Sequence, residues 1–298
     1  MTQTYRPLAA ALWMTGSIAS FSAMAVAGRE VSGTHDTFEI MAVRSLIGFV
    51  LVIVLGAALG RLHEVRTDRM GQHVIRNLFH FTGQNLWFLA ITLIPLAQVF
   101  ALEFTSPIWV ILLSPLVLGE RLTRMRLLAA AMGFAGVLIV ARPDFGSLEP
   151  GVIAAAGSAV FFAATLLMTK ALTRGESIIS ILFWLTSMQF VLGVVTTIWD
   201  GQVTWPTLQT MPWLALIGAA GILAHLCLTT ALSLAPASFV VPIDFARLPV
   251  IAVVGMVLYG ERIELIVLLG ALVIFAGNWI NIRSENRART PQLLSTKP

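Results

Sequence analysis

The sequence predicts an all-α integral membrane protein of ten transmembrane helices, arranged as two five-helix inverted repeats. Three observations carry this. Of 298 residues, 57% are apolar and 11% charged, with a mean hydropathy of +0.87, whereas soluble domains carry about 25% charged residues. Ten apolar runs of spanning or near-spanning length follow one another with short polar breaks. The second half of the chain also repeats the first at a fixed offset. At roughly 20 residues per span, ten spans use about 200 residues and leave only short loops. A sizeable soluble domain is thereby excluded, and with it a fused ATPase.

The spans are expected near 8–27, 38–60, 72–93, 97–118, 125–141, 151–171, 178–199, 212–234, 238–259 and 264–282. Gly60, Gly119, Arg142-Pro143, Gly175, Gly201, Pro206, Pro236 and Gly260 punctuate them, because glycine and proline end helices. Ala23-Met24-Ala25 in the first span resembles a signal cleavage site, but the apolar run is longer than a signal core and nine spans follow, so retention is expected. If the N-terminus is cytoplasmic, fourteen Lys and Arg fall on the inner side and three on the outer, with Arg44 and Arg247 inside spans. That bias orients the chain with both termini cytoplasmic in a bacterial-type inner membrane. The high isoelectric point reflects these flanks, and no contiguous basic domain exists to hold nucleic acid. Trp199, Trp205 and Trp213 mark an interfacial belt. Cys227, the single cysteine, excludes an internal disulfide.

Residues 93–142 superimpose on 234–283 after a shift of 141, without a gap and with fifteen identities. Gly119-Glu120-Arg121 meets Gly260-Glu261-Arg262, and Phe134-Ala135-Gly136 meets Phe275-Ala276-Gly277. Such self-similarity marks a duplicated unit. The expected organisation is a first repeat at 1–143, a second at 144–283 and a cytoplasmic tail at 284–298. Five is odd, so the halves cross the membrane in opposite senses, the arrangement that lets secondary transporters exchange inward and outward states around a midplane site.

Two five-helix halves, each with a Gly-Glu-Arg turn after its fourth helix and a Phe-Ala-Gly in its fifth, resemble the drug/metabolite transporter superfamily, in its ten-helix EamA-like branch. Glu103-Phe104-Thr105-Ser106-Pro107, Leu118-Gly119-Glu120-Arg121, Arg44 and Arg142-Pro143 carry the likeness. The second half departs from the usual pattern with Asp244 and Arg247. The resemblance implies export of amino acids, metabolites or drug-like compounds, and one branch of similar size exports aromatic amino acids.

Charges inside spans are costly and mark function by default. Arg44 and Glu103 lie about six residues, or roughly 9 Å, from the same predicted membrane edge, and a salt bridge between them is expected as a gate or packing element. Asp244 is the repeat counterpart of Glu103, and Arg247 lies one turn further on the same face. That spacing suits an internal pair, an Arg247 that receives a substrate carboxylate, or a contact from Asp244 to Lys170. His80, Gln84 and Trp87 form one stripe of the third helix, and His225 occupies the repeat position of Gln84. Trp109 is a candidate aromatic wall. Pro107, Pro242 and Pro249 are expected to interrupt helices four and nine and free backbone carbonyls. The site is therefore placed between helices four and nine, with small-molecule substrate and lipid bilayer as the partners. Proton coupling through Glu103, Asp244 or His80 is one expectation, facilitated diffusion the other. No His, Cys, Asp or Glu spacing suggests a metal, no phosphate loop suggests a cofactor, and no nucleophile stands beside a base, so an enzyme is not expected. The competing functions are a multidrug or cation exporter, and a non-transporting scaffold or receptor.

Overall fold

The protein is described from a computed structural model, over residues 6–118, 124–141, 149–172, 175–201, 203–234, 243–244, 246–262 and 264–295. Regular structure among the described residues is helical: α1 (Pro7–Val31), α2 (Thr37–Ala58), α3 (Met70–Leu93), α4 (Leu96–Glu103), α5 (Ser106–Leu118), α6 (Arg124–Ala141), α7 (Pro150–Leu172), α8 (Ile178–Asp200), α9 (Met211–Leu234), α10 (Arg247–Tyr259) and α11 (Leu265–Ser295), with one 3₁₀ turn at Leu62–Glu64. Five of these helices are long and apolar enough to cross a membrane. α3 has the length as well, but it carries buried His73, Arg76, Asn77, His80 and Gln84, so its polar stripe turns inward. Leucines, valines and isoleucines of α2, α6, α8 and α11 stand exposed instead, as a surface solvated by lipid requires.

Helix ends follow local chemistry. Asp36 opens α2 with a reciprocal capping box, its carboxylate accepting from the Glu39 amide at 2.8 Å while Glu39 accepts from the Asp36 amide at 3.2 Å. Gly260 closes α10 at φ +64, a left-handed conformation that favours glycine. The turn it makes delivers Glu261 back toward α1.

The expected fourth span at 97–118 is two helices. Pro107 has no N–H to give the Glu103 carbonyl, so the α-helical ladder ends there and the Ser106 hydroxyl donates to that carbonyl at 2.6 Å. The Phe104 carbonyl is also freed, and Asn278 of α11 donates to it at 3.1 Å. Pro107 thus sits in the first turn of α5 and Pro249 in the first turn of α10, where a missing donor costs least. Each starts a helical segment rather than kinking one. Pro242 lies outside the described residues.

The main helix pairs are α1 with α9, α3 with α7, α2 with α8 and α6 with α11, and α4 packs on α10. Under the 141-residue register α1 corresponds to α7, α2 to α8, α3 to α9 and α6 to α11. Exchanging partners under that rule leaves the four main pairs unchanged: α1 with α9 becomes α7 with α3, and α2 with α8 and α6 with α11 map onto themselves. α6 and α11 approach closely at Gly136 and Gly270, where a Cβ on either would stand 2.8–2.9 Å from the other's carbonyl oxygen.

Candidate functional site

Glu103 ends α4 and Arg247 begins α10, and the packing of these two helices brings the pair together. The Arg247 guanidinium donates to Glu103 at 3.1 Å and to Asp244 at 3.2 Å. Its position beside the carboxyl-terminal end of α4 is electrostatically favourable as well. The other Glu103 oxygen accepts from the Trp87 indole N–H at 2.8 Å. Three rings pack around the guanidinium, Phe21, Phe100 and Phe104, at 4.7, 5.0 and 5.1 Å from their centroids, distances at which a cation is attracted by ring faces. Arg247 is 4% exposed, and its Nε and the Asp244 Oδ1 are buried without hydrogen-bond partners. The centre carries two carboxylates against one guanidinium, and hence a formal charge of −1. Phe104 also lines an apolar cavity of about 340 Å³, together with Ala246, Leu248, Phe275 and the exposed Leu272.

The predicted Arg44–Glu103 bridge is absent. Arg44 instead donates to the side-chain carbonyl of Gln84 and packs over Phe88, while Glu103 is taken by Arg247. Equal depth along two helices does not set the direction each side chain faces, and α2 turns Arg44 toward α3 and α9. Arg247 in turn is already held by two carboxylates, so it is not a vacant receptor for a substrate carboxylate. Trp109 is not part of the centre and packs edge-on against Phe134 of α6, 5.0 Å between ring centroids. The Lys170 side chain lies outside the described residues.

His80, Gln84 and Trp87 do share a face of α3. His80 stands 6.4 Å from His225 of α9 and 6.1 Å from Phe162 of α7, centroid to centroid. His225 stands 5.8 Å from Phe21, the ring that also covers Arg247. A continuous line of ring contacts therefore runs from His80 through His225 to Phe21, which covers Arg247.

Sequence reasoning missed several residues. Arg76, counted among the flanking charges, is 4% exposed and donates to Thr169 of α7 at 2.7 Å. Its place one turn before His80 on the same stripe was the available signal. Phe21, Phe100 and Phe104 carried none, since phenylalanine in a span is ordinary. Near the face where α3 begins, His73 and Glu176 pair at 2.7 Å, fully buried, and Ser180 donates to the same carboxylate at 2.8 Å. On the opposite face Arg29, read as a loop charge, forms an ion pair with Glu261 across 232 residues. It also donates to the carbonyls of Ile91 and Ile94, both at 2.6 Å, and Glu261 accepts from the Leu96 amide at 3.0 Å. That latch ties α1, the α3–α4 junction and the turn after α10 together.

Paired helical halves meeting at a buried charged centre define a polytopic membrane transporter rather than an enzyme. The family comparison makes this specific: the profile of the EamA-like transporter family matches residues 8–142 and again 149–283. The chain belongs to that family, within the drug/metabolite transporter superfamily. It is 30% identical over 266 residues to a riboflavin transporter of Vibrio cholerae, covering 87% of this chain and 88% of that one. It is 24% identical to an S-adenosylmethionine uptake transporter of Rickettsia bellii, covering 94% and 96%. It is 29% identical to the pseudopaline exporter CntI of Pseudomonas aeruginosa, covering 86% and 89%.

Proposed function

We propose that this protein is a secondary transporter of a small aromatic or heteroaromatic metabolite, held at the contact between α4 and α10 and released to either membrane face in turn. The observation that carries this reading is the Arg247 centre: an ion triad about a buried arginine, ringed by Phe21, Phe100, Phe104 and Trp87. Aromatic faces at such a site bind flat solutes strongly. The names of the relatives support a metabolite substrate, riboflavin in one case. They include both an uptake system and an exporter, so direction is set by gradients or by details of each chain. Aromatic amino acids fit the same ring-lined site. Both carboxylates of the centre are engaged by Arg247, which disfavours lipophilic cations as cargo.

The repeats at 1–143 and 144–283 act as the two rocking halves in this reading. The charge bias puts the face where α1 begins, and the tail 284–298, in the cytoplasm of a bacterial inner membrane. The Arg29–Glu261 latch then closes the external side. The test is flux into proteoliposomes of labelled riboflavin, phenylalanine, tryptophan and S-adenosylmethionine, in both directions, with and without a pH gradient. Saturable flux of an aromatic solute, abolished by Phe100→Ala in protein that remains monodisperse, is the expected result. Acceleration by the gradient adds proton coupling. Flux of a lipophilic cation alone, or of no solute at all, overturns the reading.

A further inference from the structure

Among the described residues, two arginines on either side of His80 have no acid partner. Arg44 is bound by Gln84 and by the Met41 sulfur, 3.6 Å away. Arg76 is bound by Thr169, and its Nη1 is buried with no partner. Among the described residues no carboxylate pairs with either one. Glu103 and Asp244 are engaged by Arg247, and Glu176 by His73. The two cations bracket His80: Arg76 lies one turn before it on α3, and Arg44 reaches Gln84 one turn after it. Eight residues separate positions 76 and 84, about 12 Å along the helix. The His225 ring of α9 stands 6.4 Å from His80, and the His80 Nδ1 is also buried without a partner. Gly221, one turn before His225, leaves room for Arg44, since a Cβ there would stand 3.2 Å from its Nη2.

A buried charge without a counter-charge is costly in a membrane protein and persists where function requires it. Here two of one sign bracket His80 along α3, with an unpartnered guanidinium nitrogen and an unpartnered ring nitrogen. We infer that this region, between α2, α3, α7 and α9, is an anion-recognition subsite that holds a carboxylate or phosphate group of the transported solute against Arg44, Arg76 and His80. The aromatic body of the solute lies toward Phe21, which separates the subsite from the Arg247 centre. Guanidinium groups suit both anions because their paired N–H groups match two oxygens at once. The inference rests on the transport reading above and sharpens it: the cargo is an organic anion or a zwitterion, with its negative end at Arg44 and Arg76.

The test compares phenylacetate with phenylacetamide, which share a ring and differ in charge, on purified protein in nanodiscs of phosphatidylcholine. Binding is read by titration calorimetry, and folding by the heating midpoint at which a thiol dye reaches Cys227, the single cysteine, 3% exposed. Phenylacetate is expected to bind at least about tenfold more tightly than the amide, the discrimination that charge-assisted hydrogen bonds typically provide. Arg76→Gln and Arg44→Gln are expected to abolish the preference, with Arg76→Lys keeping part of it. Arg76→Gln is further expected to melt no lower than the parent without ligand, because it removes an unpaired charge. A merely structural Arg76 would lower that midpoint.

Equal binding of acid and amide, or a preference that survives both glutamine variants, overturns the inference. So does an equal response to inorganic phosphate or chloride, which would make the subsite one for a free co-ion. Loss of the preference when phosphatidylglycerol replaces part of the lipid would assign the subsite to a headgroup and overturn it too. Riboflavin flux without any acid preference sinks this inference and leaves the transport reading standing. Acid preference without flux of any solute sinks the transport reading instead.

Discussion

Replacing Arg247 by glutamine removes the one cation of the central triad and leaves the partly buried Glu103 and Asp244 without it. Breaking a buried ion pair by removing one partner costs about 3–5 kcal/mol. Here two acids are left side by side without their cation, and both keep some exposure, so the low end of that range applies. The expected loss is therefore about 3 kcal/mol, a shift on the order of 10 °C at about 2–4 °C per kcal/mol for a chain of this size class. Glu103→Gln is a different perturbation. It leaves Arg247 paired with Asp244 and keeps an oxygen for the Trp87 indole, so the cost is that of one charge-assisted hydrogen bond, about 1.5–3 kcal/mol. The triple variant Arg247→Gln/Glu103→Gln/Asp244→Asn has no charge to strand and should recover most of the loss. The assay is thiol-dye melting, read on Cys227. Two results would refute the reasoning: Arg247→Gln melting within a degree of the parent, or the triple variant melting as low as the single one.

Other outcomes are expected elsewhere in the molecule. Glu261→Ala strips Arg29 and the Leu96 amide of their acceptor, so in a Cys227→Ala background a cysteine at Ile94 should react faster with an impermeant maleimide applied to the latch face; an unchanged rate counts against the latch. Gly136→Ala places a methyl 2.8 Å from the Gly270 carbonyl oxygen and 2.5 Å from Ile274 Cγ1, forcing α6 and α11 apart at a cost of about 1–3 kcal/mol, visible as a lower melting midpoint. Trp87→Phe keeps a ring and deletes the N–H that reaches Glu103. About 1 kcal/mol of lost positioning corresponds to roughly a fivefold rise in half-saturation of flux, and an unchanged value would place Trp87 outside the site. Glu176→Gln leaves the buried His73 imidazole without its carboxylate and should lower the midpoint by several degrees without changing acid-over-amide preference.

Much of this architecture is legible along the chain. Spans, their parity and the 141-residue register need only hydropathy, arginine placement and self-comparison, all of which are properties of a linear string. Polar residues inside spans are also self-announcing, because hydrocarbon penalises them, and this singled out Arg247, Glu103, Asp244, His80, Gln84 and His225. The split of helix four was half visible: Pro107 pointed to a break, but its position in the first turn of α5 depends on Ser106 and Asn278 taking the freed carbonyls.

Partnership was not legible. Arg44 and Glu103 share a depth, yet they bind Gln84 and Arg247. Arg29 and Arg76 looked like flanking charges, yet one latches two distant turns and the other lies buried on α3. Depth follows from counting residues at a constant rise, so the chain alone determines it. Azimuth and partner depend on which helices pack together and at what rotation, and that is decided by interlocking side chains and close glycine contacts such as Gly136 with Gly270. The charges placed deep inside a span therefore belong to the sequence. Their division into a net negative centre at Arg247 and a net positive space at Arg44 and Arg76 belongs to tertiary packing, because it is packing that sets which opposite charges come within reach of one another.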